Sequence, residues 1–278
     1  EEMIQRNLPG TIVFYACPGE ELLTGKPLMA KGGAFEGLDV AVNFHPNKIN
    51  EATVGVSTAV NSAKFHFYGK ASHAANAPEN GRSALDAVEL TDIGANYLRE
   101  HVPSDVRIHY TIVDGGVAPN IVPDKAVVWY YMRAFSREVV ENVYERLVKV
   151  AKGAAMMTET ELEIEFLGGC YNTQNNHVLA GVVAEAMNEI PQEPWTQEEL
   201  DFAAALDEQT ADAARATTKK YSLSADTHLY TGPGQVTCFN SYGSTEVGDV
   251  MHLVPTAYFF TACTNMGAPA HSWQFASC

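Results

Sequence analysis

Four side chains in three short segments could take part in chemistry together. Two adjacent carboxylates, Glu20 and Glu21, follow a Pro-Gly turn, and two histidines, His45 and His271, stand in proline-containing loops. Imidazole and carboxylate groups are common ligands of zinc and similar ions, and a glutamate beside such an ion can take a proton from water. The pattern alone also allows a plainer interpretation, in which the glutamates are a solvated pair at a helix start and the histidines are loop residues.

Three further residues could bind a substrate. His73 lies in a loop of small residues, where it could donate to a substrate oxygen or simply stabilise a turn. Asn120 and Arg133 could together hold a carboxylate, since a guanidinium forms two parallel hydrogen bonds to it, although each could also be structural. A nucleophilic pair of Cys17 and His45 is conceivable, but the place of Cys17 before a proline at a strand end favours packing.

The elements that must position the first group are apolar strands. Residues 11–17 and 38–44 are nearly continuous apolar runs, and residues 22–35 between them have a helical pattern that we expect Pro27 to break. Strand, helix and strand in this order predict parallel pairing in an α/β domain. Because ligands collect at the carboxyl ends of such strands, Glu20, Glu21 and His45 are expected at one edge of the sheet.

The middle of the chain has a different pattern. The order of predicted elements is β-α-β-β-α-β, which is that of a ferredoxin-like domain. The strands are expected within 54–69, 106–113, 125–134 and 160–166, and the helices over 81–101 and from 136 onward. Helices over 178–189 and 196–220 and strands over 235–240 and 254–264 then restore the α/β pattern. We therefore divide the chain into an α/β domain, residues 1–51 and 169–278, and an inserted α+β domain, residues 52–168.

Composition excludes several classes of protein. Eighteen Lys and Arg against 34 Asp and Glu give a net charge of −16 and a pI near 4.9, which argues against binding to nucleic acid or anionic membranes. The sequence contains no apolar run of membrane-spanning length, and its first residues are unlike a signal peptide. Five scattered cysteines fit reduced thiols, so we expect a cytoplasmic protein.

Several segments together resemble the M20 family of metallopeptidases and amidohydrolases. They read GTIVFYACPGEE, NFHP, GKASHAANAPENGRSALDAVEL, GGVAPNIVPDKAVVWYYMRA, GSTEVGDVMHLVPT and PAHSWQ, and they extend over residues 10–274. The resemblance implies a zinc-peptidase-like α/β catalytic domain that holds two divalent ions, Zn or Mn. It also implies that the inserted domain is a lid through which two subunits dimerise.

The resemblance also implies roles for the residues of the α/β domain. Glu20 matches the family's general base and Glu21 a metal-binding glutamate. His45 and His271 match later metal-binding histidines.

In the lid, His73 matches the histidine that reaches the partner subunit's active site and polarises the scissile carbonyl. Asn120 and Arg133 match residues that hold the substrate's carboxylate.

The sequence departs from the family pattern in two ways. The family's earlier metal-binding motif, which precedes the segment at Gly10, is absent, and the chain stops soon after His271. We therefore expect a chain truncated at the N-terminus and also at the C-terminus, with an incomplete metal site and little hydrolysis by these residues alone. Glu246 stands where the family pattern has aspartate, which keeps the charge and changes the reach.

The expected activity is metal-dependent hydrolysis of the amide bond of an N-acyl or N-aroyl amino acid such as p-aminobenzoyl-glutamate. The expected partners are this small molecule, a second copy bound through the lid and a companion hydrolase subunit. Two alternatives stay open: a truncated, non-catalytic dimerisation or ligand-binding module, and an M20 dipeptidase or aminoacylase of other specificity.

Overall fold

A computed structural model of the chain describes residues 2–278, and its strands form two four-stranded sheets. The strands are β1 (Ala41–Asn47), β2 (Glu51–Thr53), β3 (Ala59–Tyr68), β4 (Arg107–Asp114), β5 (Lys125–Ala134), β6 (Glu161–Cys170), β7 (Gln235–Thr237) and β8 (Thr256–Ala262). The helices are α1 (Glu2–Gln5), α2 (Gly25–Lys31), α3 (Ala84–Leu98), α4 (Arg137–Thr158), α5 (His177–Glu189), α6 (Gln197–Gln209), α7 (Ala211–Lys220), α8 (Val247–Met251) and α9 (Trp273–Ser277). Short 3-10 helices cover Glu20–Leu22, Pro78–Asn80 and Arg99–His101.

The first sheet has the strand order β1-β8-β2-β7 and carries the predicted α/β elements. β1 runs parallel to β8, and β2 runs parallel to β7 but antiparallel to β8. The sheet is therefore mixed, whereas the strand composition predicts parallel pairing. Helix α5 covers it with Ala180 and Ala184, which pack against Ala52 and Val54.

The predicted strand over residues 11–17 is wrong. This segment is irregular and pairs with none of the described strands, and Ile12 and Phe14 are 79% and 86% exposed. An apolar run becomes a strand only where a neighbouring strand can pair with its backbone groups. The strand expected over 38–44 exists as β1, shifted three residues toward the C-terminus.

Pro27 does not break the helix that follows Glu21. It lies in the first turn of α2, where a residue has no N–H partner within the helix and a proline is tolerated. The helical pattern that begins at Leu22 is instead interrupted before α2 by Leu23, whose φ of 56° is in the left-handed region.

The second sheet confirms the predicted β-α-β-β-α-β order. Its strand order is β4-β5-β3-β6 and every pair in it is antiparallel, as in ferredoxin-like domains. Helices α3 and α4 cover one face, and the core between them and the sheet includes Phe65, Tyr130 and Leu147. The fold class, an α/β domain interrupted by an α+β lid, is as expected, and we call residues 59–170 the lid.

The change from one sheet to the other falls between Thr53 and Ala59, because β2 belongs to the first sheet. The boundary between residues 51 and 52 thus lies inside β2, and β6 extends to Cys170, beyond residue 168. The division into domains stays a prediction. Among the helices of residues 2–278, none combines the length and the apolar character that crossing a membrane requires.

Candidate active site

The Glu20–Glu21 pair lies on a tight turn at the surface of the α/β domain. Gly19 has a φ of 71°, which glycine adopts at little cost, and the 3-10 helix Glu20–Leu22 follows it directly. The turn closes on itself, since a Cβ on Gly25 would lie only 1.7 Å from the Pro18 carbonyl oxygen. The backbone of this loop therefore requires glycine at position 25.

A buried ion pair attaches this loop to the α8 segment. The Lys26 Nζ lies 3.0 Å from Glu246 Oε1, and the Lys26 backbone N–H donates to Glu246 Oε2 at 3.0 Å. Glu246 is fully buried and the Lys26 side chain is 11% exposed. Glu246 thus pairs with the charged side chain of Lys26 and also accepts a hydrogen bond from the Lys26 backbone.

Glu20 contacts the residue beside this anchor. Thr245 Oγ1 donates to Glu20 Oε1 at 3.4 Å. Burial raises the pKa of the Tyr258 phenol, and the negative charge of Glu20 raises it further. Thr245 and Tyr258 both line a cavity of about 500 Å3, so Glu20 is hydrogen-bonded to a residue of the cavity lining.

Glu21 and His271 come together at the surface. Their closest atoms, Glu21 Oε2 and His271 Nδ1, are 3.8 Å apart, and the side chains are 77% and 78% exposed. His271 has a φ of 56°, a conformation that costs a non-glycine residue about 1 kcal/mol or more. Ser272 supports this turn, because its hydroxyl donates to the Pro269 carbonyl and caps α9.

His45 lines the same cavity, on β1 beside Phe260 of β8. Its Nδ1 lies 2.7 Å from the Pro46 carbonyl oxygen. A carbonyl only accepts hydrogen bonds, so Nδ1 carries a proton, and in the neutral tautomer Nε2 keeps its lone pair. This is the arrangement that metal-binding histidines commonly show.

These donors fit a divalent ion chemically but do not form a complete cage. Within residues 2–278, no three His, Cys, Asp or Glu side chains lie close enough together to hold one ion. Glu21 and His271 approach each other, and His45 lines the cavity separately.

Arg133 reaches the cavity from the lid of the same chain. Its Nη1 donates to Ser244 Oγ at 2.8 Å, and its Nε donates to His109 Nε2 at 3.2 Å. Ser244 lines the cavity. Burial lowers the pKa of Arg133, and burial together with the charge of Arg133 lowers the pKa of His109. A neutral His109 can accept the hydrogen bond from Arg133, which keeps the guanidinium at the cavity rim.

His73 and Asn120 lie together, at the other end of the lid. The Asn120 carbonyl accepts from Ala74 N, and His73 Nδ1 accepts from the backbone N–H groups of Ala75 and Asn76, at 3.2 Å each. When His73 is neutral its proton is therefore on Nε2, which can donate.

The length of the lid sheet separates this pair from Arg133. On β5, Arg133 pairs with Val60 while Lys125 pairs with Tyr68, eight residues away. At 3.3 Å per residue this is about 26 Å. In one chain, His73 and Asn120 thus lie far from the cavity that Arg133 borders.

Sequence reasoning missed Lys26, Ser244 and Thr245. Each acts through a contact with a residue more than 100 positions away. The sequence did offer one signal for this segment. Glu246 departs from the family pattern, and it directly follows Ser244 and Thr245.

The chain is similar to known proteins over most of its length. Residues 59–156 match the peptidase dimerisation domain of the M20 family. The chain is 38% identical to one of the two subunits of p-aminobenzoyl-glutamate hydrolase from Escherichia coli (strain K12), over 96% of its own length. It spans 59% of the length of that relative.

Two solved structures share the fold. An aminobenzoyl-glutamate utilization protein from Klebsiella pneumoniae has a TM-score of 0.55 and 21% identity, over 81% of this chain and 56% of that one. A dinuclear metal-binding M20 peptidase from Bacillus subtilis has a TM-score of 0.52 and 16% identity, over 88% of this chain and 54% of that one. Residues 59–156 of the lid thus match the M20 peptidase dimerisation domain, and the chain as a whole is similar to M20 hydrolases.

Proposed function

We propose that this chain is part of a metal-dependent hydrolase that cleaves the amide bond of an N-acyl or N-aroyl amino acid, of the p-aminobenzoyl-glutamate type. The observation that carries the proposal is the cavity of about 500 Å3, whose lining residues Thr245 and Ser244 are hydrogen-bonded to Glu20 and to the Arg133 guanidinium. A carboxylate base and a carboxylate-binding cation at one cavity suit an anionic amide substrate. The 38% identity to a hydrolase subunit supports the same class of reaction.

In this proposal Glu20 is the general base. Its carboxylate takes a proton from the attacking water and later delivers it to the leaving amine. The hydrogen bond from Thr245 orients Glu20, and Arg133 holds the substrate's carboxylate. Divalent ions, bound in part by Glu21, His45 and His271, would supply Lewis acidity toward water and the scissile carbonyl.

The lid supplies the remaining groups from a second subunit. His73 presents a donor Nε2–H when it is neutral and lies beside Asn120. The pair follows the end of the lid sheet at Tyr68 and Lys125, which is about 26 Å along β5 from Arg133. A two-fold dimer would bring these residues to the partner's cavity, where His73 would stabilise the developing oxyanion. The partner is a second copy or, because the relative is one part of a two-subunit hydrolase, a companion hydrolase subunit.

One observation favours a second candidate, a binding and dimerisation module without catalysis. Glu21 and His271 are both more than three-quarters exposed, which is unusual for ligands of a tightly held ion. An M20 dipeptidase or aminoacylase of another specificity would share every contact described above.

The test measures p-aminobenzoyl-glutamate hydrolysis by the intact protein with Zn or Mn, together with its metal content. Hydrolysis that requires metal and falls by about 100- to 10,000-fold in Glu20→Gln, through loss of general base catalysis, supports the proposal. The matched control is Glu36→Gln, an exposed carboxylate, which should keep full activity. If the intact protein purifies without metal and binds the substrate without hydrolysing it, the result would support the binding module instead. Faster turnover of a dipeptide or an N-acetyl amino acid would reassign the substrate.

A further inference from the structure

One short segment of the α/β domain connects the lid with the loop that carries Glu20. This segment, residues 241–246, lies between β7 and α8. Its last two residues contact the loop, since Thr245 donates to Glu20 and Glu246 pairs with Lys26. Its first four residues contact the lid or the chain that leads into the lid. Neighbouring Cα atoms are about 3.8 Å apart, so a shift at one end of the segment also moves the other end.

The backbone of this segment is hydrogen-bonded to the chain where it enters the lid. The Ser241 N–H donates to the Val56 carbonyl at 2.9 Å. The Thr58 N–H donates to the Gly243 carbonyl, also at 2.9 Å. The Thr58 hydroxyl, which is fully buried, donates to the same carbonyl at 3.0 Å. These bonds keep the segment beside the first strand of the lid.

The Tyr242 side chain extends this contact onto the lid itself. The centre of its ring lies 4.3 Å from Arg107 Cζ and 5.0 Å from the centre of the Phe135 ring. Both lid partners are held by further hydrogen bonds. Arg107 Nη1 donates to the Ser104 carbonyl at 2.8 Å, and Phe135 N donates to Asp105 Oδ2 at 3.0 Å. The aromatic pair and the cation–π contact therefore dock Tyr242 on a fixed part of the lid.

Two hydrogen bonds link the same segment to the proposed chemistry. Arg133 of the lid donates to Ser244, and the next residue, Thr245, donates to Glu20. The spacing between the guanidinium and the carboxylate therefore depends on the position of two consecutive residues. Tyr242 lies two residues before Ser244, so its docking on the lid helps to fix both.

We propose that Tyr242 is a positioning residue, whose ring fixes residues 241–246 against the lid and thereby holds Glu20 and Arg133 at the spacing that the reaction needs. The contacts with Arg107 and Phe135 use the ring of Tyr242 and not its hydroxyl, so phenylalanine should serve equally well. The inference rests on the proposed function for the roles of Glu20 and Arg133. The coupling of the lid to the Glu20 loop rests only on the contacts described above.

The test measures amide hydrogen exchange in the 278-residue chain, a measurement that requires no hydrolysis. The reporters are the N–H groups of Leu22 and Leu23, which donate to backbone carbonyls within the Glu20 turn at 3.1 and 2.9 Å. Tyr242→Ala should speed their exchange about tenfold, because it removes both the aromatic pair and the cation–π contact. Tyr242→Phe keeps the ring and should exchange at the wild-type rate.

Two further variants control this measurement. Phe202→Ala is the matched control, because Phe202 lies on α6, does not line the cavity and is 46% exposed, compared with 45% for Tyr242. It should leave the exchange of Leu22 and Leu23 unchanged. Arg107→Gln removes only the cation on the lid side and should speed this exchange about threefold.

Unchanged exchange of Leu22 and Leu23 in Tyr242→Ala would overturn the proposal. An equal acceleration in α5 would overturn it as well, because it would show a general loss of stability. Slow exchange that Tyr242→Phe fails to keep would mean that the ring is not what couples the lid to the loop.

Hydrolysis by the intact protein is measured separately. Tyr242→Ala should lower kcat and raise KM, and so lower kcat/KM about tenfold or more, because Glu20 and Arg133 are both displaced. Tyr242→Phe should keep both constants. Faster loop exchange in a protein that hydrolyses nothing would count against the proposed function alone. Hydrolysis that Tyr242→Ala leaves unchanged would count against the positioning role alone.

Discussion

At the scale of single residues, the backbone favours opposite tautomers of the two candidate histidines when both rings are neutral. His45 donates from Nδ1 to the Pro46 carbonyl, which leaves a lone pair on Nε2. His73 accepts at Nδ1 from two backbone N–H groups, which leaves the proton on Nε2. A metal ligand needs the first state and a donor to an oxyanion needs the second, so the local turns already suit the proposed roles.

The adjacent glutamates should separate catalysis from metal binding. Glu20→Gln in the intact protein should abolish turnover and leave the metal content nearly unchanged, because a neutral amide cannot accept the proton. Glu21→Gln should lower the metal content, because it removes an anionic donor beside His271. The checks are turnover and elemental analysis of the purified variants. Metal loss in the Glu20 variant alone would mean that the two roles are reversed.

At the scale of elements, the loop that carries both glutamates depends on the ion pair of Lys26 and Glu246. Glu246→Gln should reduce the free energy of unfolding by about 3 kcal/mol, because it leaves the Lys26 charge buried without its partner. Urea denaturation measures the change. The matched control is Glu159→Gln, which breaks the exposed ion pair with Arg82 and should cost less than about 1 kcal/mol. Equal effects of the two substitutions would show that the buried pair does not anchor the loop.

The lid core contains an acid that should make its stability depend on pH. Asp92 of α3 accepts a hydrogen bond from the buried Tyr130 hydroxyl. Burial, opposed by this hydrogen bond and aided by the charge of Glu89, raises the pKa of Asp92 to about 6. The unfolded value is about 3.9, so the folded protein binds this proton more tightly. The contribution to stability is fully present below about pH 4 and is lost as the pH rises through about 6.

Asp92→Asn should therefore flatten the pH dependence of the lid between about pH 4 and 6.5. At pH 7 it should raise the free energy of unfolding by about 1 to 2 kcal/mol after solvent screening. Thermal unfolding over this pH range measures both effects. Glu100→Gln, at an exposed lid position, should leave the pH profile unchanged. A profile that keeps its slope in Asp92→Asn would assign the titration to another group.

At the scale of the whole molecule, the sheet order decides where two lids can join. The strand before His73, β3, is paired on both sides, so it has no free edge that a second lid could join. β4 is an edge strand that exposes Tyr110, Ile112 and Val113, and the nearby α3 exposes Tyr97. An exposed apolar edge strand readily pairs with a second copy.

Ile112→Lys should therefore shift the protein from dimer to monomer at micromolar concentration, because it places a charge in this apolar patch. Sedimentation equilibrium measures the association. The control is Met156→Lys on α4, which is 82% exposed and lies outside the patch. A wild-type protein that sediments as a monomer would contradict both the dimer and the role of His73 in the partner's site.

The sequence alone was enough to predict the order of strands and helices in the lid. Its order of elements is as expected, and β5 spans Lys125–Ala134 as the alternation of apolar residues indicates. Such patterns are local, because the period of apolar residues directly reflects which face of a strand or helix is buried. The resemblance also identified Glu20, Glu21 and Arg133 as residues to examine. In the structure, Glu20 and Arg133 are hydrogen-bonded to Thr245 and Ser244, which line one cavity.

Only the tertiary structure decided which residues meet. The apolar run at residues 11–17 forms no strand, because strand formation depends on a partner that no local pattern reports. Lys26 meets Glu246, 220 positions along the chain, and Tyr242 meets Arg107 of the lid. The length of β5 keeps His73 away from Arg133. These contacts follow from how sheets and helices pack, and residues so distant in sequence leave no periodic signal of their approach.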